Sequence, residues 1–123
     1  MNPFGTLHRA GVPLALGTDA PVTPIAGWAT VQAAVQHWRP EERLSPAVAF
    51  DAASRGAHWA GLVDDAGTIA VGRRADLAVW NVDRAGLLST GLPELAAGQP
   101  RPECAATIAG GRIVFSRDPD WSG

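Results

Sequence analysis

The sequence predicts an α/β fold in which a helix-rich half, ending near Gly61, precedes a β-rich half. An uninterrupted apolar run at residues 14–16 has no polar face, which is typical of a strand buried on both sides. Apolar side chains recur at helical spacing over residues 28–38. Two β-type runs flank Gly110-Gly111, which is a strong hairpin signal. These patterns predict one strand with helices around it, and then a small β-structure.

Size and composition limit the classes of protein to consider. At 123 residues the chain has room for one domain with a modest core. Its net charge of -2 gives no electrostatic basis for binding nucleic acid or an anionic membrane. Cys104 is the single cysteine, so the chain forms no internal disulfide. It shows neither a signal-peptide pattern nor an apolar run long enough to cross a membrane, and we therefore expect a cytoplasmic protein.

The first helix and the strand lead to a candidate site residue. The helix is predicted to have Asn2 as its N-cap, Pro3 in its first turn and Gly11 just past its end. Residues 12–17 are predicted as the strand, and Asp19 follows its carboxyl end, where α/β enzymes place their chemistry. A carboxylate there needs a partner, which could be an arginine, backbone amides or a metal ion. A loop-capping aspartate is the simpler alternative.

Three helices are predicted after Asp19. The first spans residues 28–38, and the second begins with Ser45 as N-cap and Pro46 at the first helical position. A break at residues 54–56 separates it from a short helix at 57–60. The three histidines of the chain all fall on predicted helices: His8, His37 and His58. For each of them a structural or surface role is favoured over metal binding.

The second half changes to a β-type pattern. Residues 67–69 and 75–81 are predicted as short strands. A long irregular stretch follows at 83–103, and a loop of that length in a compact domain is expected to be functional or to cover something. Residues 107–115 complete the hairpin.

Four stretches together resemble the amidohydrolase superfamily, with the YtcJ-like, amidohydrolase family 3 group as the nearest match. The first stretch, AGVPLALGTDAPV at residues 10–22, resembles the last barrel strand of that superfamily. The others resemble the helices after this strand, the return of the chain into a small β-sandwich, and the final hairpin of that sandwich, at residues 45–57, 67–79 and 107–114. The stretches cover nearly the whole chain, in the order found in the family.

The resemblance implies a C-terminal fragment of a TIM-like (β/α)8 barrel followed by part of a small β-sandwich. Residues 1–61 are then the end of the barrel, with its last strand and following helices, and residues 62–123 are the β-rich part of the composite sandwich. The implied activity is metal-dependent hydrolysis of a C–N bond, in a non-peptide amide or related small molecule, with zinc as the expected divalent metal. Asp19 matches the family's last-strand aspartate, which binds metal and takes a proton from the attacking water.

The chain departs from the family pattern in its other metal ligands. It has no His-x-His pair, no lysine, and no histidine outside the predicted helices. We therefore expect a C-terminal fragment, from a truncated or split gene, which alone neither holds metal tightly nor hydrolyses an amide. It is expected to pair with a missing N-terminal portion or to self-associate. Two alternatives stay open: an inactive structural or interaction module, and an independent β-rich binding domain.

Overall fold

The computed structural model describes residues 2–121. This part of the chain consists of a helical region followed by one three-stranded antiparallel sheet, so a mixed α/β architecture is confirmed. The helices are α1 (Phe4–Arg9), α2 (Gly27–Val35), α3 (Pro46–Ala53) and α4 (Arg55–Ala60), and the strands are β1 (Leu77–Asn81), β2 (Glu103–Ala109) and β3 (Arg112–Ser116). Short 3-10 turns lie at Pro40–Glu42, Arg84–Gly86 and Pro119–Trp121. Within these residues no helix combines the length and the apolar character that a bilayer span requires.

Helix α1 ends as predicted but begins differently. Gly11 has a φ of +75°, and its N–H donates to the carbonyl of His8 at 2.9 Å. The N–H of the next residue donates to the carbonyl of Leu7 at 3.0 Å, which completes a Schellman motif. At the other end Pro3, not Asn2, occupies the N-cap position, and its side chain has no acceptor with which to cap the helix.

Glu42 caps α1 from a distant part of the chain. Its carboxylate accepts hydrogen bonds from the hydroxyl of Thr6 at 2.6 Å and from the N–H of Thr6 at 2.8 Å. Thr6 is the third residue of α1, and its N–H has no partner inside the helix. Glu42 is buried, and these bonds from Thr6 hold the pKa of its carboxyl below the ordinary value. Gly5 allows the approach, because a Cβ there would lie 2.5 Å from the carbonyl oxygen of Glu41.

Residues 12–17 do not form the predicted strand. They have no regular secondary structure and no strand partner among the described residues. The N–H of Leu16 donates instead to the carbonyl of Ala52 in α3, at 3.0 Å. Leu14 and Leu16 pack against the helical core, whereas Ala15 between them is exposed. The prediction of a strand buried on both faces is wrong, because no neighbouring strand supplies the ladder of hydrogen bonds that defines one.

Helix α2 is shorter than predicted. It ends at Val35, and Trp38 lies beyond it with 69% of its surface exposed. Arg39 precedes a proline, a position that disfavours the helical conformation. Its N–H donates to the Nδ1 nitrogen of His37 at 3.2 Å, so His37 also lies outside the helix on which it was predicted.

The core lies between α2, α3 and a loop from the second half of the chain. Its buried members are Trp28, Val31, Ala34, Leu44, Ala49 and Leu95. Leu95 belongs to the long stretch between β1 and β2, and the side-chain amide of Gln36 donates to its carbonyl at 2.5 Å. The expectation that this stretch covers something is confirmed, since it covers the helical core.

An aromatic cluster connects the helices with the sheet. The ring of Trp28 in α2 stacks on Phe50 in α3, with centroids 5.4 Å apart. It also meets Trp80 of β1 edge to face, at 5.8 Å. Aromatic pairs favour these two geometries, so the cluster stabilises the packing of β1 against the helical region.

The short helices α3 and α4 follow their local signals. Ser45 caps α3 by accepting a hydrogen bond from the N–H of Val48 at 3.3 Å, and Pro46 is its first residue, as predicted. Helix α4 begins at Arg55, two residues before the predicted start. The break falls at Ser54, whose φ of -112° and ψ of -86° are not helical.

Gly56 brings α4 against the segment that leads to the candidate site. A Cβ at this position would overlap the carbonyl oxygen of Leu14. Any residue larger than glycine would therefore push α4 away from residues 12–17. Together with the bond from Leu16 to Ala52, this contact holds the segment without a strand ladder.

The sheet has the order β1-β2-β3, so β1 and β3 are its edges among the described strands. Gly110 and Gly111 join β2 to β3 with φ angles of +56° and +79°. Two consecutive residues with positive φ are typical of a two-residue hairpin turn, and Ala109 pairs with Arg112 across it. The predicted hairpin is confirmed.

Residues 67–69, predicted as a strand, form a bend instead. Gly67 has a φ of +82°, and a Cβ there would lie 2.9 Å from the Cα of Arg55. Because this segment packs against α4, it pairs with no strand in the part described, and β1 begins only at Leu77.

Candidate active site at Asp19

Asp19 lies in the loop between residues 12–17 and α2. Its carboxylate is exposed, and no hydrogen bond or ion pair of that carboxylate occurs among residues 2–121. Its backbone has a φ of +53°, in the left-handed region that few residues other than glycine adopt. Aspartate tolerates this conformation better than most residues, but it still has to be held by its surroundings.

Three hydrogen bonds within the loop hold the backbone of Asp19. The N–H groups of Val22 and Thr23 donate to the carbonyl of Asp19, at 2.9 Å and 3.4 Å. The hydroxyl of Thr23 donates to the carbonyl of Thr18. The loop is thus closed through its main chain, and the carboxylate of Asp19 takes no part in closing it.

The histidines do not gather near Asp19 to form a metal centre. His8 is exposed in the last turn of α1. His37 accepts the N–H of Arg39 and meets the ring of Phe4 edge to face at 5.9 Å. In α4, Nδ1 of His58 lies 2.9 Å from the carbonyl of Ser54, which assigns the proton to that nitrogen. Each histidine has the structural or surface setting expected from the sequence.

The residues at hand do not by themselves fit a catalytic metal. Such a zinc site typically takes three protein ligands and leaves one position open. Over residues 2–121 no group of three or more His, Cys, Asp or Glu side chains is placed to hold an ion. Asp19 offers one exposed carboxylate, and a catalytic zinc there would need ligands from outside the described residues to complete its set of three.

Two surface clefts lie elsewhere, on the β-rich half. One, of about 310 Å³, lies between the end of β1 and the 83–103 stretch, with Leu95 at its floor. The other is lined by residues of all three strands and by residues 117–119. Asp19 lines neither of these two clefts.

Asp76 is a second aspartate whose role the sequence did not indicate. It accepts the N–H of Gly110 at 2.7 Å and the Nε of Arg74 at 2.6 Å. The bond from Gly110, more than the charge of Arg74, holds the pKa of Asp76 below its ordinary value. Asp76 anchors the hairpin turn to the start of β1 and is structural. The one indication of this role in the sequence was that Asp76 lies within residues 67–79, the stretch that resembles the return of the chain into the sandwich.

Comparison with known proteins places the chain in a family of hydrolases. A family model described as the amidohydrolase family matches residues 1–115, and the chain therefore belongs to the amidohydrolase family. The chain is similar to an imidazolonepropionase of Rhizobium rhizogenes, with 33% identity over an alignment of 87 residues; the alignment covers 67% of this chain and 20% of that protein. It is also similar to an imidazolonepropionase of Aromatoleum aromaticum, with 40% identity over an alignment of 88 residues; the alignment covers 68% of this chain and 20% of that protein.

The chain spans about a fifth of the length of these curated relatives. No solved structure matches it. The predicted resemblance to amidohydrolases is confirmed, whereas the YtcJ-like subgroup remains a prediction. The cytoplasmic location also remains a prediction.

Proposed function

We propose that the chain is the C-terminal part of a metal-dependent amidohydrolase that hydrolyses a C–N bond in a small molecule, and that Asp19 is its contribution to the active centre. Residues 1–61 then end the barrel, and residues 62–123 belong to the sandwich that accompanies it. Family membership across residues 1–115 supports the hydrolase class. Both relatives are named imidazolonepropionases, so imidazolone propionate is the first substrate to test.

The setting of Asp19 is the observation that carries the proposal. A loop-capping aspartate would accept backbone N–H groups, as Asp83 does from Ala85 at 3.0 Å. Within the described residues the carboxylate of Asp19 accepts none, although its backbone is held at a φ of +53°. A fixed backbone with an unused carboxylate favours a role toward a ligand over a role in the fold.

The proposed role follows from the chemistry of a carboxylate. Its oxygens are suitable ligands for a divalent ion, and amidohydrolases generally use such metals. A carboxylate within reach of an attacking water can also accept its proton, a contribution of about 10²–10⁴ in rate. The remaining ligands have to come from residues outside those described, as they do not occur among them.

The test is turnover by the complete enzyme with and without this carboxylate. Asp19→Asn keeps the size of the side chain but cannot accept the proton, so we expect kcat to fall about 10²–10⁴-fold. Asp64→Asn is the matched control, because Asp64 is an exposed loop aspartate whose side chain makes no hydrogen bond in the part described. Imidazolone propionate and simple amides are the substrates. Full activity of Asp19→Asn would rule out the role proposed for Asp19.

An inactive structural or interaction module is the second candidate function. It is favoured by the lack of a metal-binding group among the described residues and by the two edge strands of the sheet. The DNA upstream of this coding region discriminates between the two. A reading frame that encodes His-x-His there supports the enzyme, and its absence supports the module.

A further inference from the structure

We propose that Thr23 is a positioning residue for the reaction, because it sets the direction in which Asp19 presents its carboxylate. This inference rests on the proposed function of Asp19. It starts from the exposed carboxylate, which has no hydrogen-bond partner among the described residues. The side chain is therefore not held at its own end, and its fixed point is the Cα–Cβ bond, whose direction the backbone sets.

Two peptide groups flank the Cα of Asp19 and determine its direction. One contains the carbonyl of Thr18, and the other contains the carbonyl of Asp19 itself. Thr23 binds both, since its hydroxyl donates to the first and its N–H donates to the second, at 3.4 Å. The N–H of Val22 reinforces the second bond at 2.9 Å.

Together with Val22, Thr23 thereby holds the backbone of Asp19 in the left-handed region, with φ at +53°. A chain without this restraint would relax toward the more populated regions with negative φ. That change would turn the Cβ of Asp19 away from its present direction. A displacement of about 1 Å in a catalytic group can lower turnover by about a hundredfold.

The first experiment uses this chain and measures hydrogen exchange by mass spectrometry in the peptide that covers residues 18–23. Thr23→Val removes the hydroxyl at nearly constant volume, and we expect exchange of the Val22 and Thr23 amides to rise about tenfold. Thr23→Ser restores the hydroxyl and should exchange like the unchanged chain. Thr90→Val is the matched control, because the hydroxyl of Thr90 makes no hydrogen bond among the described residues. Unchanged exchange in Thr23→Val would overturn the inference.

The second experiment measures turnover in the complete enzyme. We expect Thr23→Val to lower kcat by about ten- to a hundredfold while KM stays within about twofold, and Thr23→Ser to recover most of the loss. Equal loss in the serine and valine variants would overturn the inference, as would full activity of Thr23→Val beside an inactive Asp19→Asn. If Asp19→Asn is fully active, the proposed function fails. The exchange measurement then still decides whether Thr23 holds the backbone of Asp19.

Discussion

Glu42 binds the first turn of α1 through Thr6, which lies 36 positions earlier in the chain. The carboxylate accepts both the N–H and the hydroxyl of Thr6, so it serves as the N-cap that Pro3 cannot provide. We expect Glu42→Gln to lower the melting temperature by roughly 5 °C, because the amide is a weaker acceptor and can face only one oxygen toward Thr6. Glu94→Gln, at an exposed glutamate, is the control. Equal melting temperatures in the two variants would contradict the capping role.

The pH dependence of stability gives a separate test of Glu42. Its pKa in the folded protein is below the ordinary value, chiefly because of the hydrogen bonds from Thr6. A carboxyl with a lowered pKa stabilises the folded state at pH values above its unfolded-state pKa, which is about 4.3. This stabilisation is lost as the pH falls through the pKa of the folded state. Urea unfolding between about pH 6 and pH 3 should therefore show a steeper loss in the unchanged chain than in Glu42→Gln. Parallel pH profiles would show that Glu42 has no such linkage.

Gly56→Ala tests how α4 is held against residues 12–17. Alanine is a better helix former than glycine by about 1 kcal/mol, so helix propensity alone predicts that Gly56→Ala stabilises the folded chain. The added Cβ would overlap the carbonyl oxygen of Leu14, and we expect a loss of about 1–3 kcal/mol in the free energy of unfolding. Gly27→Ala in α2 is the control, since a Cβ there meets nothing within 4 Å. A Gly56→Ala chain as stable as Gly27→Ala would show that the contact with Leu14 is not tight.

Metal retention tests whether this chain alone forms a catalytic centre. We expect the purified chain to retain substoichiometric zinc after loading and dialysis, and to hydrolyse no amide, because a single carboxylate does not hold the ion in place. Elemental analysis and an ammonia-release assay are the measurements. One tightly held zinc per chain, lost in Asp19→Asn, would contradict this expectation.

The sheet edges predict self-association of the isolated chain. Strand β3 is an edge, and Val114 at its centre is 62% exposed. Exposed apolar edge strands favour pairing with another chain. We expect sedimentation velocity to show dimers or larger species that decrease in Val114→Lys, because a charged side chain on an edge opposes pairing. Ser89→Lys, in the 83–103 stretch, controls for the added charge. A monomer at high concentration would refute the prediction.

Features that depend on neighbouring residues were predictable from the sequence. The cap at Ser45, the glycine that ends α1 and the Gly110-Gly111 turn are all confirmed, because each is determined within a few positions of the chain. The structure of residues 12–17 and 67–69 was not predictable in this way, because a strand exists only where a second strand pairs with it. Glu42 and Leu95 likewise act on partners 36 and 59 positions away, a separation that periodicity does not detect.

In the candidate site too, features of contiguous sequence were predictable and features of the folded loop were not. Asp19 was found from its position after an apolar run and from the family resemblance, both of which are features of contiguous sequence. Thr23 lies only 5 positions after Thr18, yet its role depends on a loop conformation that no residue pattern specifies. Partners for a metal at Asp19 were not predictable from the sequence for a different reason, since the described residues contain no group of three or more His, Cys, Asp or Glu side chains that could hold an ion.

The burial of Leu95 in the helical core determines when that core can form during synthesis. Chain growth proceeds from the N-terminus, so the helices leave the ribosome well before residue 95 does. Until then Trp28 and its neighbours lack one of their buried contacts, and Gln36 has no carbonyl to bind. Amide exchange across α2 in a nascent chain stalled at residue 90 should exceed that in the full chain, and equal protection would refute this order of events. The last third of the sequence, although β-rich, thus completes the helical core.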